Sequence, residues 1–141
     1  MMAFEQRQRE LFRAIKPHTV SLLDRSIDGR GSLKALESEL RAYEPDVVRG
    51  LGDYVLFPLV MLLRDAGARE GEVEQVLGVL SVLFESGAVI PQADVLLVDL
   101  VASLARTAQR ADVSDEPVKE LIARCLLSIF TARSDVTRLL S

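Results

Sequence analysis

His18 and Cys125 are the single histidine and the single cysteine of the sequence, so any chemistry that needs an imidazole or a thiolate must run through these two positions. A nucleophilic thiol requires a base within hydrogen-bond reach and an accessible, electropositive setting. Cys125 stands instead between Arg124 and Leu126 inside an apolar helical pattern, where a free cysteine serves as a small core hydrophobe. His18 follows Pro17, which suits a surface or capping side chain better than a general base. Neither residue has a second His or Cys at ligand spacing, so no metal site is expected.

The charged and glycine-rich stretches support no better chemistry. Glu37 and Glu39, and the series Glu70, Glu72 and Glu74, sit two positions apart and diverge around a helix; they are expected on solvated faces. Gly29-Arg30-Gly31 and Gly50-Leu51-Gly52 follow no strand, so a dinucleotide fingerprint is not supported. The second pair suits a close helix approach or a flexible point. Arg7, Arg9, Arg13 and Lys16 form one basic stretch and Arg106 with Arg110 another, but Glu5, Glu10 and Asp112 interleave with them and only 5% of residues are aromatic. Base-stacking platforms are therefore missing. The expectation is a non-catalytic protein with no cofactor and no nucleic-acid partner.

The elements that must position these residues read as a string of helices. With 49% apolar residues in 141, the chain has material for one substantial core. Phe4, Leu11, Phe12, Ile15, Val20, Leu22, Leu23 and Ile27 recur at helical spacing, predicting one long helix or two joined at a kink at Pro17. After the turn at Asp28-Gly29-Arg30-Gly31, Ser32 is expected to cap a second helix carrying Leu33, Leu36 and Leu40. A third starts at Pro45 and runs through Val48, Leu51, Val55, Leu59 and Leu62 to a stop before Gly67. Within it, Tyr54, Phe57 and Leu59 are expected in the core, with Pro58 at a kink.

A fourth helix is expected from Gly71 to Ser86, ended by Gly87. A fifth starts from Pro91 and is apolar on nearly every side along Val95 to Val101. A sixth starts at Asp115, Glu116 and Pro117 and carries Val118, Leu121, Ile122, Leu126, Ile129 and Phe130. Ser134 to Ser141 begins a seventh amphipathic pattern. Pro45 and Pro91 are 46 positions apart, and Gly71 and Glu116 are 45, a recurrence that matches the ~40 to 47 residue period of HEAT or armadillo hairpins. The fold expected is therefore all-α, six to seven helices stacked as antiparallel hairpins in a solenoid segment. Residues 1–141 are expected to form a single N-terminal solenoid segment of a longer repeat protein.

The net charge of −4 provides no bulk attraction to nucleic acid or anionic lipid. The longest apolar run, Val55 to Leu63, is far short of the roughly 20 residues a membrane span needs. One unpaired cysteine fits a reducing compartment, and the cytoplasm and nucleus are the expected locations.

Several blocks carry a resemblance. Leu11-Phe12-Arg13-Ala14-Ile15-Lys16-Pro17-His18-Thr19-Val20-Ser21-Leu22 pairs a basic residue with proline ahead of a Val-x-Leu. Leu51-Gly52-Asp53-Tyr54-Val55-Leu56-Phe57-Pro58-Leu59 holds a Tyr-aliphatic-Leu-Phe-Pro-Leu signature. Val76 to Leu83 and Glu120 to Phe130 follow at matching spacing. In these blocks the chain resembles the N-terminal region of the Tel-two-interacting protein one family. The resemblance implies a HEAT-repeat scaffold without enzyme activity, assembled with Tel-two and Tti-two in the Triple T complex. Through a heat-shock chaperone system, that complex supports the maturation of phosphatidylinositol-3-kinase-related kinases, those of target-of-rapamycin signalling and the DNA-damage checkpoint among them. Nothing about partner contacts transfers to the divergent loop from Arg106 to Glu116. The alternative reading is a generic helical-repeat adaptor for protein–protein interaction.

Overall fold

Apolar residues spaced by three and four build a helix wherever one stripe can be buried against a neighbour. The computed structural model describes residues 2–24, 26–64, 70–87, 91–110 and 116–140, and among them eight helices and no strand. These are α1 (Met2–Leu22), α2 (Arg30–Arg41), α3 (Pro45–Arg49), α4 (Gly52–Arg64), α5 (Glu70–Gly87), α6 (Asp94–Gln109), α7 (Glu116–Ala132) and α8 (Val136–Leu139). The expected stop before Gly67 and the acidic start at Asp115 lie outside the described residues.

The helices form two layers. In one, α1 packs on α4, α4 on α6 and α6 on α8; in the other, α2 packs on α5 and α5 on α7. The pairs α1/α2, α4/α5 and α6/α7 cross between layers, so the chain is a stack of three hairpins, with the short α3 against α1 and α5. Equivalent helices start 40 (α2 to α5), 42 (α4 to α6) and 46 (α5 to α7) positions apart, within the ~40 to 47 residue range of such hairpins, although Pro45 opens the short α3 and not α4. The core is one continuous aliphatic cluster. Leu11 and Ile15 of α1, Leu33 and Leu36 of α2, Leu56 and Leu59 of α4, Leu77 and Leu80 of α5, Leu97 and Leu100 of α6, and Ile129 of α7 all belong to it.

Two local features differ from the expectations. The third helix divides in two at Gly50 and Leu51, giving eight helices. A Cβ on Gly50 would collide with the Gln8 side-chain amide of α1, so the glycine lets α1 approach, and the Leu51 amide bonds back to the Val48 carbonyl at 2.9 Å. At the start of α2, Ser32 caps nothing. Its hydroxyl meets Ser21 Oγ at 3.1 Å, and the helix opens at Arg30 behind Gly29 with no side-chain cap of its own. Pro17 stands on the exposed side of α1, which runs on to Leu22 as one long helix, the first of the two expected alternatives.

Polar contacts tie successive hairpins together. Glu72 of α5, expected on a solvated face, is fully buried and its Oε2 accepts the Gly29 amide at 2.6 Å. Asp53 of α4 accepts the amides of Gln92 and Ala93 at 2.8 and 3.0 Å, just ahead of α6. Within the third hairpin, Arg133 after α7 donates to Asp94 Oδ1 at 2.9 Å, to the Pro91 carbonyl at 3.2 Å and to Asp135. Glu72 and Asp53 each sit at the positive end of a neighbouring helix, α2 and α6, where negative charge is favoured.

Candidate interaction groove

Helix α4 is apolar almost all round. Val55, Leu56, Leu59, Val60, Leu62 and Leu63 are buried, and four apolar residues in succession cannot all face one side of a helix. Phe57 is turned outward, 48% exposed, and Met61 one turn on is exposed as well. The expectation of a core phenylalanine is therefore wrong: the inward positions on either side are filled by Leu56 and by Pro58 with Leu59. Pro58 sits buried within a helix that carries on to Arg64.

On α1 the same division occurs. Leu11, Ile15 and Leu22 face the core, while Phe12, Val20 and Leu23 are exposed. Thr19 joins the two helices: its hydroxyl donates to the Lys16 carbonyl at 3.0 Å and lies 2.8 Å from Tyr54 Oη. With the threonine proton so engaged, the phenol is the donor to Thr19. The Tyr54 ring tilts against Phe12, centroids 5.1 Å apart at 43°, within the range of favourable aromatic pairs.

Between the helices lies an open, almost wholly apolar groove of about 400 Å³, lined by Thr19, Val20, Leu23, Asp53, Tyr54, Phe57 and Pro58. Of the residues singled out from sequence, Tyr54, Phe57 and Pro58 meet here, Leu59 lies beneath in the core, and Pro17 stands apart on α1. Sequence reasoning missed Val20 and Leu23 as surface residues. A helical wheel carries the signal, since at 100° per residue Phe12, Lys16, Val20 and Leu23 fall on one side and Leu11, Ile15 and Leu22 on another. A second hollow, about 320 Å³, is lined by Ala3, Phe4, Arg7, Glu44, Asp46 and Val47. Its charges answer one another: Arg7 pairs with Glu10 and Glu44 at 3.0 and 3.4 Å and stacks over Tyr43.

Elsewhere the chemistry-bearing residues are scattered. Cys125 is buried in α7 with Ser81 Oγ 4.0 Å from its sulfur, and His18 is half-buried on α1. Among the described residues no three His, Cys, Asp or Glu side chains stand together as a metal cluster, and no helix is long and apolar enough to cross a membrane. The arrangement can bind through an apolar face.

No curated protein and no solved structure matches the chain. One family model does, that of the TTI1 N-terminal TPR domain, over residues 12–140. The match takes in α2 to α8 and all of α1 from Phe12 onward, both walls of the groove included, and its description is of helical hairpin repeats, the architecture seen here. The chain belongs to the TTI1 N-terminal TPR domain family.

Proposed function

We propose that this chain is a non-catalytic scaffold segment that assembles with Tel-two and Tti-two in the Triple T cochaperone complex, and so supports the maturation and stability of phosphatidylinositol-3-kinase-related kinases in cytoplasm and nucleus. The family match over residues 12–140 is the observation that carries this reading. The physical character of the chain agrees with it: a repeat stack with an exposed apolar groove is built to hold another protein. Glu72, Asp53, Arg64 and Arg133 are spent on tying helix to helix.

The test is assembly. The full-length parent protein, tagged and purified from its own cells, should retain Tel-two and Tti-two in stoichiometric amounts. Its depletion should lower the steady-state level of the kinases without lowering their messages. A parent that retains neither protein, or whose loss leaves kinase levels unchanged, removes the proposal.

A further inference from the structure

The groove's charged surroundings specify what it takes. On this side of α1 and α4 the carboxylates are engaged: Glu5 with Arg9 at 3.9 Å, Glu10 with Arg7, Asp24 with the Ser26 hydroxyl and amide, and Asp53 with the backbone ahead of α6. Lys16 is different. It is exposed, one turn from both Phe12 and Val20, and its ammonium lies 5.9 Å from the Phe12 ring centre. Among the described residues neither Lys16 nor its neighbour Arg13 meets a carboxylate. Asp53, bonded to backbone amides, holds the negative charge at the α4 wall. At the α1 end of the apolar surface the charge without a counter-ion among the described residues is positive, on the exposed Lys16 and Arg13.

The size of the surface sets the size of the ligand. From Phe12 to Leu23 is eleven residues of helix, about 16 Å at 1.5 Å per residue. That is three turns, and a partner helix laid along it would present large side chains at i, i+4 and i+7. We propose that the α1/α4 groove takes one amphipathic helix of a protein partner, anchored by apolar side chains over Val20, Leu23, Tyr54 and Phe57 and oriented by a carboxylate on Lys16. This deepens the scaffold reading and rests on it only in taking the occupant to be a protein.

The experiment uses the whole chain and a displayed library of 16-residue helices. The library has Leu, Phe or Met at i, i+4 and i+7, and Glu or Lys at every flanking position. Selection should enrich glutamate at the flank facing Lys16, and a synthetic enriched peptide should shift the backbone amides of Val20, Leu23, Tyr54 and Phe57. At about 0.1 M salt its lysine-flanked counterpart should bind roughly threefold or more weakly, the scale of one exposed ion pair. Lys16→Glu should invert that preference. Phe57→Ser, checked for an unchanged helical spectrum, should weaken binding by about thirtyfold, as loss of an aromatic anchor does.

Enrichment without charge preference, shifts that map to another face, or affinity kept in Phe57→Ser would overturn the inference. So would a concentration-dependent dimer that Phe57→Ser makes monomeric, because a second copy of the chain would then be the occupant. Failure to enrich any helix would also overturn it, and the capture of Tel-two and Tti-two by the parent protein would decide the scaffold reading separately.

Discussion

Phe57 and Leu59 lie two residues apart in one helix, and the structure assigns them opposite energetic weights. Leu59 is fully buried, so truncation to alanine removes its transfer free energy and leaves a cavity, a loss of about 2–5 kcal/mol. Phe57 keeps 48% of its surface in water. Fully burying such a side chain is worth about 1.5–3 kcal/mol, so the covered half contributes about 1–1.5. Alanine also returns about 0.5 kcal/mol through its better helix propensity. Phe57→Ala should therefore cost about 0.5–1 kcal/mol net. In urea melts followed by helical circular dichroism, the Leu59→Ala midpoint should fall well below wild type, with the Phe57→Ala midpoint close to it. Thermal midpoints should fall by roughly 2–4 °C for each kcal/mol lost. A Phe57→Ala loss above about 3 kcal/mol would mean that the ring is core and the groove closed. A Leu59→Ala loss below about 1 would mean that the inward face of α4 has been misassigned.

Pro17→Ala should stabilise the chain by about 1–3 kcal/mol, because the ring is exposed and alanine restores the missing helical donor; a lower urea midpoint would show that the proline is needed where it is. Gly29→Ala should destabilise by about 1–3 kcal/mol, since the new Cβ would meet Glu72 Oε2 at 2.8 Å and Leu22 at 3.1 Å, whereas Gly31→Ala, which meets nothing within 4 Å, should not, and equal effects would refute the close approach. The hydrogen bond from Arg133 holds the Asp135 carboxyl down at about 2, against the ordinary 3.8. A carboxyl depressed on folding contributes stability above its unfolded value and loses it as the folded value is crossed, so this contribution should fade between about pH 4 and pH 2. Arg133→Gln should flatten that part of the acid melt, and an unchanged slope would show that the pair contributes nothing in solution.

The helices and their period were legible because each has a long stripe to bury. Spacing alone places Leu33, Leu36 and Leu40 of α2 and Val118, Ile122 and Ile129 of α7 in the core, and these are buried, while Leu121 and Leu126 of the same α7 stripe are partly buried and Phe130 is exposed. The face of α4 was not legible, since a helix apolar on every side carries no phase, and the one outward aromatic among Leu56, Phe57, Pro58 and Leu59 cannot be picked out by period. The burial of Glu72 was illegible for a different reason. Its partner Gly29 is 43 positions away, and nothing local marks a glutamate that will be drawn inward by a distant amide. The break between α3 and α4 was half written in Gly50 and Gly52, where a close approach was expected but not a division. The Tyr-x-x-Phe-Pro wall of the groove is visible as a motif, whereas on α1 the apolar residues are too many for spacing alone to separate the outward Phe12, Val20 and Leu23 from the buried Leu11, Ile15 and Leu22.

None of α2, α3, α6 and α8 is capped by the side chain of its own N-cap residue, and for α2 and α6 the carboxylate comes from another hairpin. In a one-dimensional description of a repeat protein, stability divides into what each unit holds alone and what each junction adds. Borrowed caps move free energy from the first share to the second. A hairpin cut from this stack would lose its aliphatic neighbours and the anion at the mouth of its helix together, so its helices should fray more than their composition suggests. The three hairpins should accordingly melt as one cooperative transition, with no populated state in which one end is folded and the other is not.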